Sequence, residues 1–311
     1  MNEDNPDIDT KGLANDSIFG QFDLPFNSPV QPTHIGLDQE VQFRCHKDIA
    51  CFNQCCMNID VTLTPYDILR LARNLGISTT LFIAQFTFRY EMDGQGMPGL
   101  KLKPVEEGAA CQFVVEEGCA VYADRPTACR YYALGAMGIR RKEAAELEAI
   151  YFVVKEPHCL GHQEPRKITV RAYREEQGVV EYDELNHDWL DIIVKKRSSG
   201  PTVGSPSERS FQLWYLGFDL DAFRMFTQTD GFKSLFLITA EERLGIDTDD
   251  KLMLIFIHRF LKQVFFGELS IAVNAPAAEN RFELRKDQIG QRHLDAVEKH
   301  RLKDPRNDPD E

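Results

Sequence analysis

Between residues 64 and 76 the chain alternates as a helix does. In "TPYDILRLARNLG", Ile68, Leu69, Leu71, Ala72 and Leu75 form one apolar face. Thr64 fits an N-cap, Pro65 the first helical position, Asp67 the acid of a capping box and Gly76 the residue past the end. Ser78 can cap a second short helix, "TTLFIAQF". The period then shortens to two. "TFRYEM" and "GLKLKP" flank the turn-rich "DGQGMPG", and "ACQFVV" and "CAVY" flank "EEG", so two hairpins are predicted. "LEAIYFVVKE" reads as a strand and "RPTACRYYAL" as a short helix. "TVRAYREEQG", closed by Gly178, and "VVEYDELNHDWLDIIVKK" read as helices.

The pattern changes after residue 197. "RSSGPTVGSPSER", residues 197–209, is rich in Ser, Pro and Gly and reads as a linker or long loop. Beyond it, "DLDAFRMFTQTDGF" and "TDDKLMLIFIHRFLKQVFFGEL" are helical, the second with enough aromatics to be core. The expected fold class is α+β: an irregular, loop-rich cysteine domain with short hairpins and helices, then a mainly helical C-terminal region. The expected divisions are a disordered acidic arm (1–35), a cysteine-cluster metal-binding domain (36–196), the linker (197–209), the helical region (210–297) and a charged tail (298–311). The helical region carries more apolar side chains than one short bundle buries, among them Phe211, Trp214, Phe218, Leu254, Phe256 and Phe260. It is therefore expected to pack as a layer on the cysteine domain, with a cleft between the layer and the metal site. A dimer interface is the alternative.

Composition changes this picture only by exclusion. The chain has 311 residues, 43% hydrophobic and 27% charged, ordinary values for a chain that folds without covalent staples. Its net charge of −13 argues against non-specific nucleic-acid binding. No apolar run is long enough to span a bilayer, and the acidic N-terminus has no signal-peptide pattern. A cytoplasmic setting is the expectation, and there clustered thiols point to metal or redox chemistry. The partner is expected to be a protein or a small-molecule substrate, with neither nucleic acid nor membrane involved.

The chemistry lies in the cysteines. There are eight: Cys45, Cys51, Cys55, Cys56, Cys111, Cys119, Cys129 and Cys159. Four fall within "CHKDIACFNQCC", and the 102 residues after residue 209 contain none. Cys51 and Cys55 are i, i+4 and would share one face of a helical turn. Cys56 then turns away, so the vicinal pair suits a bridging multi-metal arrangement or two separate sites. Eight thiols satisfy two four-thiolate sites, zinc or iron–sulfur. Paired CxxC knuckles, the CxxxCxxC of radical-SAM enzymes and the ferredoxin run are all absent. His46, His158 and His162 lie close enough in sequence to serve as further ligands.

These residues are similar to a known pattern. "RCHKDIACFNQCC" followed by "VTLTPYDILRLARNLGIS", then "ACQFVVEEGCAVYADRPTACRYY" with Cys159 closing, resemble the YkgJ-like cysteine-cluster family, a zinc- or iron-chelating domain of the CxxCxxCC type. The resemblance covers about residues 40–165. It implies metal chelation and, for some members, flagellin lysine N-methylation. The string GxGxxG does occur at Gly94, Gly96 and Gly99, but in the predicted hairpin turn between two strands and not between a strand and a helix, so it does not mark a Rossmann-type methyl-donor site, which counts against the latter.

The rest of the Arg-Pro-x-x-Cys-Arg phrase has a physical reading. Pro126 starts a helix, and Cys129 sits on its first turn where free N–H groups stabilise a thiolate. Arg125 and Arg130 flank Cys129 and offset the surplus negative charge of a thiolate-bound centre. Tyr122, Tyr131 and Tyr132 read as packing residues. Two functions follow: an iron–sulfur cluster or other iron site with redox or catalytic work, or structural zinc supporting a partner-binding module. A chelator or sensor is a third. Ligand type alone does not choose between iron and zinc.

Overall fold

A computed structural model describes residues 35–92, 97–139, 148–198 and 208–303. The acidic arm before residue 35, the centre of the linker and the last eight residues lie outside them. The cysteine half is built from short pieces. In chain order they are β1 (Glu40–Gln42), β2 (Thr62–Leu63), α1 (Pro65–Asn74), α2 (Thr79–Phe86), β3 (Thr87–Glu91), β4 (Pro98–Leu102), β5 (Val114–Val115), β6 (Gly118–Cys119), α3 (Thr127–Tyr131), β7 (Leu134–Ile139), β8 (Glu148–Val153), β9 (Lys167–Thr169) and α4 (Val170–Glu176). All the pairings are antiparallel: β2–β4–β3, β1–β9, β5–β6 and β7–β8. Helices follow: α5 (Val180–Ser198), α6 (Glu208–Leu216), α7 (Leu220–Thr227) and α8 (Asp230–Leu235). After β10 (Phe236–Leu237) come α9 (Ala240–Thr248), α10 (Asp250–Phe266), β11 (Ala272–Val273), α11 (Ala275–Glu283) and α12 (Lys286–Lys303). β10 pairs with β11. The architecture is α+β, loop-rich before α5 and mainly helical after it.

Local chemistry accounts for most element ends. The Thr64 hydroxyl accepts from Asp67 N at 3.1 Å while the Asp67 carboxylate accepts from Thr64 N at 2.9 Å, a full capping box with Pro65 in the first turn. Ser78 caps α2, Asp219 caps α7, Thr229 caps α8 and Asp249 caps α10. The Thr229 cap divides the run "DLDAFRMFTQTDGF" into two short helices. Gly178 stands at φ +62 where α4 ends, a conformation open to glycine at little cost. The charged tail expected from residue 298 is helical as far as Lys303, because α12 continues through it. Among the described residues no helix is long and apolar enough to cross a membrane.

Two cores result. The larger joins both halves of the chain. Leu63, Tyr66, Ile68, Leu71, Phe82 and Leu100 pack with Trp189 and Ile192 of α5 and with Trp214, Phe223, Phe256 and Phe260 beyond. Phe223 is fully buried and meets Phe256, Phe260 and Phe226 edge-on. Polar ties cross the same junction. Trp214 Nε1 donates to Pro98 O at 2.8 Å, and Thr79 Oγ1 donates to Asp219 at 2.7 Å. The helical region therefore packs as a layer on the cysteine half. The smaller core gathers Val41, Phe43, Tyr131, Leu134, Tyr151, Ile168, Val170 and Tyr173 from β1, α3, β7, β8, β9 and α4. The cysteine-bearing loops run between the two.

Candidate metal centre

The first cysteine segment is a string of turns rather than a helix. Asn53 adopts φ +66, and Gln54–Cys56 form a single 3-10 turn. The i, i+4 helical placement expected for Cys51 and Cys55 is thus replaced by a tighter path. Long-range backbone bonds hold this path in place. Cys111 N donates to Cys56 O at 2.8 Å and Ile59 N to Ala109 O at 2.9 Å. Asn53 Nδ2 donates to Val115 O, which brings the segment onto the β5–β6 hairpin. Leu160 N donates to Cys51 Sγ at 3.3 Å, which brings the Cys159 turn to the same place. Segments more than fifty residues apart in sequence therefore share one basin.

The thiols form two overlapping neighbourhoods. Cys45 is raised to about 11 by burial and then by the charges of Cys55, Cys51 and Cys159. Cys129 is raised to about 12 by burial and then by Cys111, Asp67, Cys119 and Cys55. Burial also raises Cys111, Cys119 and Cys159, each with a further push from Cys55. Cys55 and Cys56 stand with sulfurs 3.9 Å apart. Their hydrogen bond lowers Cys55 to about 7 and drives Cys56 upward. Cys55 is thus felt by both neighbourhoods. All eight thiols are free, and Cys45 and Cys55 are exposed. Without a cation most would keep their protons, because burial disfavours the thiolate and neighbouring thiolates then repel. A metal replaces those protons and removes the repulsion.

The donor set suits a thiophilic metal in kind and number. A tetrahedral ion with thiolates at about 2.3 Å spaces neighbouring sulfurs by about 3.8 Å, and the Cys55–Cys56 separation of 3.9 Å is close to that. Among the described residues no three side chains of His, Cys, Asp or Glu already stand at the spacing one ion needs. The thiols as placed are therefore not assembled into a ligand set for one ion.

The two arginines differ. Arg125 is buried, lies over the Tyr122 ring at 4.0 Å and bonds Tyr122 O and Gln177 Oε1. Its charge lowers Cys45 and Cys119 and is itself supported by Cys129. Arg130 directs its donors at Arg125 O, Gln177 O, Ala123 O and the Tyr182 hydroxyl. It ties α3 to the end of α4 and the start of α5. Arg125 is the arginine whose charge acts on Cys45 and Cys119, without bonding either.

Pro126 is the N-cap of α3 rather than its first residue. The missing cap bond comes from elsewhere. Asp67 Oδ1 accepts from Thr127 N at 2.8 Å and from Thr127 Oγ1 at 2.7 Å. One fully buried carboxylate thereby caps both α1 and α3 and holds the turn bearing Cys129. Burial pushes this carboxyl up, against the bonds from Thr64 and Thr127. The capping box with Thr64 was legible in the sequence; the bond to Thr127 needs the tertiary approach.

The histidines have other neighbours. His162 lies between Val154 O at 2.9 Å and Gln42 O at 3.3 Å. His46 Nε2 is 3.5 Å from Glu164. His158 Nε2 is 3.1 Å from the Tyr132 hydroxyl, which also bonds Glu156. Tyr132 is therefore a polar participant at the rim rather than only a packing residue. The cavity at the junction with the helical layer, about 690 Å³, is lined by Ile83, Arg89, Leu100, Phe211, Gln212 and Tyr215 among others, and by no cysteine. This cavity lies at the junction and is not the cleft expected against the metal site.

Residues 44–160 match the model of the CxxCxxCC family, described as "Putative zinc- or iron-chelating domain". The match begins beside Cys45, ends beside Cys159 and contains all eight cysteines. No curated protein and no solved structure matches the chain. The likeness to that family is confined to this segment, which is less than half of the chain.

Proposed function

We propose that the eight cysteines hold an iron-containing centre, an iron–sulfur cluster or thiolate-bound iron, with redox or catalytic work at its exposed edge. The observation that carries this reading is the vicinal pair. Cys55 and Cys56 lie 3.9 Å apart at the meeting of two thiol neighbourhoods. One neighbourhood contains Cys45, Cys51 and Cys159; the other contains Cys111, Cys119 and Cys129. A junction of this kind favours a multi-metal centre over two isolated four-thiolate ions. Thiolate donors suit iron–sulfur clusters as well as zinc. Exposure of Cys45 and Cys55 favours a centre open to a small-molecule substrate or a protein partner over a closed structural site.

In this reading the chain's residues have distinct duties. The cysteines bind, Arg125 offsets thiolate charge, and Asp67 with Thr127 keeps the Cys129 turn in place. The metal supplies electron transfer or Lewis acidity when bound. Anaerobic purification followed by metal, labile-sulfide and visible-absorption analysis tests it. Brown protein with iron, with or without labile sulfide, is the expected result. Colourless protein carrying zinc at two ions per chain would replace this reading with the structural-zinc module.

A further inference from the structure

The cavity at the junction, about 690 Å³ and lined by no cysteine, has the size of a small-molecule site. One wall is α6. Glu208, Phe211, Gln212, Tyr215 and Leu216 stand at i, i+3, i+4, i+7 and i+8, so they share one helical face. The facing wall comes from the cysteine half. It consists of Ile83 of α2 and of Arg89 of β3, directly across the ladder from the buried Leu100 of β4. Cross-strand partners share a sheet face, so Arg89 and Leu100 line the same space. The bond from Trp214 Nε1 to Pro98 O holds α6 over that face.

The polar groups of the lining divide into spent and unspent. Asp219 is spent: it accepts from Thr79 Oγ1 at 2.7 Å and from Thr80 Oγ1 and Ala222 N at 3.0 Å. Arg89 is not. Its guanidinium lies 4.0 Å over the Tyr215 ring, and among the described residues no carboxylate or carbonyl pairs with it. Burial raises the Tyr215 phenol, so the ring stays neutral and supplies no counter-charge. The Gln212 amide, one turn back on α6, has no hydrogen-bond partner among the described residues either. Glu208 lies at the far end, roughly 10 Å from Tyr215 by helical rise.

We propose that this cavity binds a small amphipathic carboxylate, an alkyl-chain acid of medium length. The planar guanidinium matches a carboxylate bidentately, and stacking on Tyr215 leaves it less freedom to lose on pairing. Gln212 supplies a second donor, and the alkyl chain lies on Ile83, Leu100, Phe211 and Leu216. One guanidinium, with Glu208 and Asp219 in the same lining, suits a monoanion; a phosphate dianion would meet too little positive charge. Binding is non-covalent and does not depend on what the thiols hold.

The test uses the full chain as purified, with decanoate as the probe and decyltrimethylammonium as the chain-matched cation, both titrated by calorimetry. Saturable decanoate binding at one per chain is expected, with the cation at least tenfold weaker. Arg89→Gln should weaken decanoate at least tenfold and leave thiol-bound metal unchanged. Absence of saturable binding, equal binding of the cation, or undiminished decanoate binding by Arg89→Gln overturns the proposal. Should Arg89→Gln fold poorly, Phe211→Asp decides, because it sets a carboxylate against the alkyl chain. Decanoate binding at least tenfold weaker in that variant upholds the site, and unchanged binding overturns it. Failure of the iron reading shows instead in the metal and sulfide content before decanoate is added.

Discussion

Between Arg44 and Val61 only Ile49 is buried, although four cysteines lie there. Helix α10, of similar length, buries eight side chains, among them Phe256, Ile257, Phe260 and Leu261. The first region has turns, long-range backbone bonds and thiols. The second has an aromatic core that reaches through Phe223 and Trp189 to α1. Burial at roughly 25 cal/mol per Å² explains the second. It leaves the first with little apolar contact to offset its conformational entropy. The difference teaches where metal must act on folding: in the loops, and hardly at all in the layer.

Removing the metal is the largest perturbation and the most direct way to break the contrast. Chelation should expose residues 44–61 and the Cys111–Cys129 stretch to protease while amides of α10 stay protected from exchange. Equal loss of protection in both regions would show that the large core also depends on the metal. The reverse perturbation is Phe223→Ala. It should cost about 3–5 kcal/mol of global stability, read by denaturant unfolding. Metal content per folded chain should not change. A variant that loses metal in proportion to stability would mean the two regions fold as one unit.

The contrast also marks what the sequence disclosed. The layer was legible because its signal is local: a dense apolar, aromatic-rich helical run that the structure shows as α10. So was the capping box of α1. The thiol basin was legible in composition and in its family pattern, but not in shape. The 3-10 turn at Gln54–Cys56 and the left-handed Asn53 depend on contacts with Val115 and Ala109, which no local pattern encodes. For the same reason Tyr132 read as packing. Its partners Glu156 and His158 lie more than twenty residues further on.

Acid should act on the layer through His258. It is fully buried, its Nε2 has no hydrogen-bond partner, and its ring lies near Trp189. Burial holds it down at about 4, and Lys262 adds to this while Asp188 opposes it. The folded value is below the ordinary one, so the unfolded chain binds the proton more tightly. Stability from this residue is complete above about pH 6.5 and falls as pH drops toward 4. At 1.36 kcal/mol per unit the loss is about 3 kcal/mol. His258→Gln should flatten that part of the stability–pH curve. An unchanged slope would assign the acid sensitivity to other groups.

Asp67 is where the two regions meet, so its removal should blur the contrast. Asp67→Ala removes the return bond of the α1 capping box, leaving the Thr64 cap, and both bonds that cap α3. At about 1 kcal/mol for the lost α3 cap and less for the return bond, roughly 1–2 kcal/mol of stability should go. Because α3 carries Cys129, metal affinity should fall as well, which Phe223→Ala does not do. Asp67→Asn can still accept one bond and should recover part of both. Lost stability with full metal retention would confine Asp67 to helix capping.

The smallest expected effect is at the surface of the junction. Arg73 on α1 bonds Asp221 of α7 at 2.9 Å and Asp250 of α10 at 2.8 Å, and Arg224 bonds Asp250 from the other side at 2.8 Å. The network spans both regions, so it could be taken for the bolt between them. Its side chains are too wet for that: Arg73 is 38% exposed and Asp250 33%. Solvent-screened pairs contribute 1 kcal/mol or less, and long side chains lose entropy when held. The carboxylates of Asp221 and Asp250 are lowered in their pKa with Arg73 as the chief partner opposing burial, so the network is charged at neutral pH. Arg73→Ala should therefore cost about 1 kcal/mol at low salt and less as salt screens the pairs. Thermal unfolding at two ionic strengths reads this directly. A loss of several kcal/mol that salt does not reduce would make the ion network, and not the aromatic core, the principal tie between the thiol-bearing half and the helical layer.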